Sequence, residues 1–132
     1  MIKTLVKTLK AENSELFVIK GSQRLLLASC QVKLHVYEFS QKVTAIGTNG
    51  YQLKVNTSVV VECSDLETTR NVDADFLKDV SRFEVVTNIQ RSDGVFERIT
   101  FDNLHPFEID LHGDWEFEVI EQYDLVKKLA AF

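Results

Sequence analysis

Apolar and polar residues alternate along most of this chain. From Cys30 to Val36, Cys30, Val32, Leu34 and Val36 fall on one side and Gln31, Lys33 and His35 on the other. Side chains of an extended backbone point alternately to opposite faces, so this period predicts a half-buried strand. Residues 51 to 63 repeat it over a longer stretch. Leu53, Val55, Thr57, Val59, Val61 and Cys63 share one face, and Gln52, Lys54, Asn56, Ser58 and Glu62 the other, broken only by Val60. At about 3.3 Å per residue this strand reaches roughly 40 Å, more than a typical strand. Asn49-Gly50, a pair that tolerates positive φ, predicts the turn before it. The runs Glu15 to Ile19 and Arg24 to Ala28 flank Lys20-Gly21-Ser22 and read as a hairpin. Later strands are expected at Glu84 to Gln90, at Val95 to Phe101 after the Ser92-Asp93-Gly94 turn, at Phe107 to Leu111 and at Trp115 to Glu121. Pro106, the only proline, stands at a strand start, where its missing N–H is tolerated.

One segment changes period. Phe76, Leu77, Val80 and Phe83 recur at i, i+1, i+4 and i+7, with Asp73 placed to cap and Asp75 in the first turn. This predicts one helix near residues 73–82. With turn signals every 8 to 12 residues, no repeat and no linker, the pattern predicts a single mostly-β domain over residues 1–132: a β-sandwich or small β-barrel with the helix packed on one side or end.

Composition adds three constraints. The chain has 132 residues, 45% of them apolar, which is enough for a sizeable core without staples. Its net charge of -5 disfavours specific nucleic-acid binding, which relies on clustered Lys and Arg to displace counterions. The acid is uneven: Glu108, Asp110, Asp114, Glu116, Glu118, Glu121 and Asp124 fall in a stretch without Lys or Arg. Cys30 and Cys63 lie inside apolar runs without CxxC spacing and read as reduced, inward-facing thiols. No run approaches the roughly 20 apolar residues of a membrane span, and the N-terminus lacks a signal-length apolar stretch. Cytoplasm-like conditions and no membrane partner are therefore expected.

Catalytic and metal chemistry find little support. His105 and His112 flank Asp110 and Asp114, but the spacing is strand-like, with no CxxC or HExxH frame. Glu108, Asp110, Glu116 and Glu118 lie at i, i+2 spacing opposite Phe107, Ile109, Leu111, Trp115, Phe117 and Val119. That is the pattern of a sheet with one wet side rather than two carboxyls held across a cleft. Gly47 to Gly50 is too short for a phosphate loop. Phe96, Phe101, Phe107 and Trp115 alternate as core residues do, with Arg98 the one Lys or Arg between them, too little interleaved basic charge to make a base-stacking platform. A non-enzymatic protein without metal or cofactor is expected. The long strand with a polar face of Gln52, Lys54, Asn56 and Ser58 instead suits deliberate pairing between subunits, since an isolated domain would risk edge-to-edge association there.

The order of elements resembles the tail-tube family of bacteriophages and contractile injection systems. The pieces that carry it run in sequence: Leu16-Phe17-Val18 ending at Gly21, Cys30-Gln-Val-Lys-Leu34, Val43-Thr-Ala-Ile-Gly47, the strand 51 to 63, Phe76-Leu77, Glu97-Arg-Ile-Thr-Phe101-Asp102, Trp115-Glu-Phe-Glu-Val119 and Tyr123-Asp124-Leu125. The loop between residues 37 and 52 is shorter than the Gly/Thr-rich insertion of many tube proteins. Main tube subunit and tube-initiating or tail-completion protein both remain open. The resemblance implies a virion tail component made in the host bacterial cytoplasm, homo-oligomeric in six-membered rings whose sheets join into a continuous barrel, with other tail proteins as partners. Gln52, Lys54, Asn56, Ser58, Glu108, Asp110, Glu116 and Glu118 are the candidate channel-facing or interface residues, their acidic members repelling passing DNA. The rival expectation is a small β-sandwich module that binds a protein or carbohydrate.

Overall fold

The computed structural model describes residues 2–44, 50–105 and 115–132. The described chain runs β1 (Ile2–Lys20), β2 (Gln23–Thr44), β3 (Tyr51–Thr68), α1 (Ala74–Leu77), β4 (Val80–Gln90), β5 (Phe96–Leu104), β6 (Trp115–Val119) and α2 (Tyr123–Ala130). The strands form one antiparallel six-stranded sheet in the order β5-β4-β1-β2-β3-β6.

The expected hairpin is present. Lys20 pairs with Gln23 across a two-residue turn whose first position, Gly21, has φ 58°, a conformation that costs glycine nothing. Its arms are longer than the sequence implied. Arg24 to Ala28 and Cys30 to Val36 belong to the single strand β2, and the N-terminal residues join β1. Bulges let these strands continue past breaks in the alternation. One lies between Ala11 and Ser14, where Asn13 takes φ 53°; another lies in β3 opposite Ser29 to Gln31, where Asp65 takes φ 51°. Short polar side chains tolerate this region better than most.

The helix expected over 73–82 is only Ala74–Leu77. Asp73 caps it as expected, accepting a hydrogen bond from Phe76 N at 2.8 Å. Lys78 is already extended and Asp79 has φ 68°, so the chain leaves the helix two residues before β4 begins. Val80 and Phe83, which matched a helical period, lie on β4, where Phe83, Val85 and Ile89 enter the core. The second helix, α2, was not expected. It buries Val126 and Leu129 and carries Lys127 and Lys128 at the end where the helix dipole favours cations. The strand expected at Phe107 to Leu111 lies outside the described residues.

A sandwich or closed barrel is not what the sheet forms. Among the described residues the outer strands β5 and β6 do not pair, and the sheet stays open. It nevertheless curls strongly. Phe83 on β4 meets the rings of Trp115 and Phe117 on β6 at centroid distances of 5.5 and 5.8 Å, although β1, β2 and β3 lie between those strands in the sheet. The concave face so made holds one buried cluster, with Leu16, Val18, Leu34, Val59, Val61 and Phe101 among its members. α2 lies over this face. Lys7 of β1 donates to Ala130 O at 2.7 Å, Gln122 donates to Asp102 O at 2.7 Å, and Lys128 pairs with Glu97 of β5.

Candidate assembly interface

The three longest strands outrun their neighbours. β4 pairs with β1 only from Ala11 onward, and β6 pairs with β3 only at Val59 to Cys63. Ile2 to Lys10, the matching end of β2 and Tyr51 to Ser58 therefore form a three-stranded extension with both edges unpaired among the described residues. On the face continuous with the core, its central strand carries Glu38, Ser40 and Lys42, while the apolar residues sit on the outer strands. Ile2 pairs with Ser40, Ser40 with Val55 and Lys42 with Leu53. Ile2 is 71% exposed, Leu53 60% and Val55 57%.

This arrangement inverts the usual protection of a sheet. Strand edges offer unpaired N–H and C=O groups to any other chain, and monomeric proteins normally blunt them with charge, proline or a covering segment. On this face the edge strands carry the apolar Ile2, Leu53 and Val55, and the middle strand carries Glu38 and Lys42. Leu5 and Val6, also exposed, add to the β1 edge, where the register slips between Leu5 and Lys7.

The sequence-predicted residues fall mostly on the opposite face. Lys54 is exposed, Asn56 half-buried and Ser58 fully buried. Glu116 and Glu118 are exposed and pair with Glu62 and Val60, so they continue the face of Lys54, Asn56 and Ser58 into β6. The backbone of Gln52 pairs with Val43, and nothing is described of its side chain. Glu108 and Asp110 lie outside the described residues. Ser58 departs from the expected wet position for a reason visible above it. Lys3 of β1 reaches Glu118 of β6 at 3.6 Å and lies 4.5 Å from the centroid of the Tyr37 ring, crossing β2 and β3 at the level of Ser58. The Ser58 hydroxyl is left with no hydrogen-bond partner.

Nor is this face the acidic wall that the sequence implied. Register puts Lys10 beside Lys33, Lys33 beside Glu62 and Glu62 beside Glu116, so charges of both signs share one row. Lys3 and Lys54 add further positive charge to the face. Next to the row, Thr8 Oγ1 lies 3.1 Å from His35 Nδ1, and His35 Nε2 lies 2.6 Å from Glu62 Oε2. With the neutral ring protonated at Nε2, His35 donates to Glu62 and accepts from Thr8, and the relay ties β1, β2 and β3 together across a half-exposed surface.

A groove of about 460 Å³ lies where the sheet fails to close, lined by Asn103 and Leu104 at the end of β5 with His105 just after it, and by Phe117 of β6 with Ile120 and Gln122 after it. His105 is exposed, and the other members of the considered metal set, Asp110, His112 and Asp114, lie outside the described residues. Among the described residues no three His, Cys, Asp or Glu side chains come together as metal ligands would.

Ile2, Leu5 and Val6 were not among the sequence-predicted interface residues, because the Val6 bulge spoils their alternation. Leu53 and Val55 were visible in the period of two but were assigned to the buried face. Comparison with family models, curated proteins and solved structures finds no match to this chain.

Proposed function

We propose that this chain is a structural subunit that associates with copies of itself through the free edges of the three-stranded extension. The observation that carries the reading is the placement of Ile2, Leu53 and Val55 on strands whose outer edges are unpaired among the described residues, around a polar centre. A second copy laid along either edge satisfies the edge backbone groups and removes these side chains from water, worth about 25 cal/mol per Å² of apolar surface covered. The β1 edge of one copy meeting the β3 edge of the next is a head-to-tail contact, which closes into a ring or runs on as a filament. The finer reading, a six-membered ring of a phage tail or tail-like particle stacked with other tail proteins, is supported by the resemblance in element order. The net charge of -5 suits a subunit that does not grip nucleic acid.

Sedimentation velocity over a concentration series, with electron microscopy of the concentrated protein, tests the proposal. Oligomers larger than a dimer are expected, and Ile2→Lys together with Val55→Lys should shift them to monomer without lowering the melting temperature. Wild-type protein that stays monomeric at every concentration overturns self-association and leaves the small binding module in its place. Oligomers indifferent to both lysines overturn the assigned edges.

A further inference from the structure

Cys30 and Cys63 are the chain's two cysteines, and the fold brings them together. They lie on neighbouring strands, on the core side of the sheet, with Cys63 opposite Val32 and so one side-chain repeat along from Cys30. The ladder is irregular on both sides of Cys30. The Asn13 bulge of β1 adjoins its pairing with Ser14, and the Asp65 bulge of β3 stands opposite it, so Cys30 has no partner in the β2–β3 register. Cys63 is fully buried and Cys30 is half-buried, and the two thiols influence each other's ionisation.

We propose that Cys30 and Cys63 form a thiol–disulfide redox site, with Cys30 as the attacking sulfur, Cys63 as the resolving sulfur and a low-molecular-weight disulfide as oxidant. Cys30 thiolate attacks one sulfur of the oxidant, whose S–S bond breaks, giving a mixed disulfide on Cys30 and releasing one small thiolate. Cys63, losing its proton to that thiolate, then attacks Cys30 Sγ and displaces the second small thiol. Two protein thiols become one disulfide, and the oxidant is reduced to two thiols. The bulges matter because thiols placed diagonally on neighbouring strands must close to the bonded S–S distance, and the irregular backbone around Cys30 has slack that a regular ladder lacks.

The acid–base chemistry of the pair agrees with these roles. Interaction with the Cys63 thiol stabilises Cys30 as thiolate and lowers its pKa below the ordinary thiol value, with burial and Glu15 opposing. The same interaction, then burial, pushes Cys63 up. The thiolate is the nucleophile, and Cys30 is also the more exposed of the two.

The test treats native, folded protein with oxidised glutathione, quenches with acid at intervals and reads intact mass without reductant. Wild type should lose two hydrogens per chain after passing through a glutathione adduct. Cys63→Ala should stop at the stable adduct, and Cys30→Ala should react more slowly by more than about tenfold, since the remaining thiol is buried and protonated. Wild type that stays reduced, or that stops at the adduct, overturns the proposal. If Cys63→Ala fails to fold, the wild-type time course alone decides, because adduct preceding disulfide is required.

Discussion

Phe83 and Leu77 belonged to the same helical period in the sequence, yet the structure gives them different work. Phe83 is fully buried against Trp115 and Phe117, whereas Leu77 is half-buried on a helix with no buried residue. Phe83→Ala should cost about 3–5 kcal/mol by urea denaturation, and Leu77→Ala about 1 kcal/mol, less than the loss of a fully buried leucine. Equal losses would mean that α1 packs more deeply than the structure shows. The cap at Asp73 was legible because it depends on chemistry within three residues. The early end of the helix was not, because Asp79 at φ 68° has no sequence signal and the pull of the β4 ladder is tertiary. Ser58 teaches the same lesson on a strand. Its alternation placed it outside, but Lys3 and Glu118, distant in sequence, close over it. Ser58→Ala should be neutral or stabilising by up to about 1 kcal/mol, since the hydroxyl it removes is buried without a partner.

Among elements, the strands with clean alternation, the middle of β2 and the long β3, were legible, and so was the turn between β1 and β2; the far end of β2, read as part of a loop from residue 37 to 52, was not. The N-terminal half of β1 was hidden by its bulges, since one extra residue reverses the face of everything beyond it. α2 was hidden by its brevity, although Leu125, Val126 and Leu129 do follow a helical spacing. Its position follows from both ends: Lys7 and the Glu97–Lys128 pair fix its last turn between β1 and β5, and Gln122 anchors its start to Asp102. Leu129 is fully buried there, so Leu129→Ala should cost about 2–5 kcal/mol. Lys127→Ala, on the exposed side of the same turn, should change stability by less than about 0.5 kcal/mol. Thermal unfolding of the two variants measures the difference, and a silent Leu129→Ala would show that α2 does not close the core.

At the scale of the whole molecule, the sequence pointed to two sheets or a closed barrel because apolar faces must be covered. The actual solution covers the core by curling one sheet and laying α2 across it. Period-two patterning specifies which face of a strand is buried, but not what buries it, so this choice could not be read from one strand at a time. The same curl leaves the extension outside the core, and its condition depends on assembly. In dilute protein, the amides of Tyr51 to Ser58 that point away from β2 have no strand partner among the described residues, and they should exchange hydrogen rapidly. Amides around Leu34, Val59 and Val61, inside the sheet, should be protected. On concentration, pairing along the edge should slow the first group and leave the second unchanged. Ile2→Lys with Val55→Lys should abolish the slowing without touching the core amides. If the edge amides exchange identically in dilute and assembled protein, association proceeds through another surface, and the extension is not the joint between subunits.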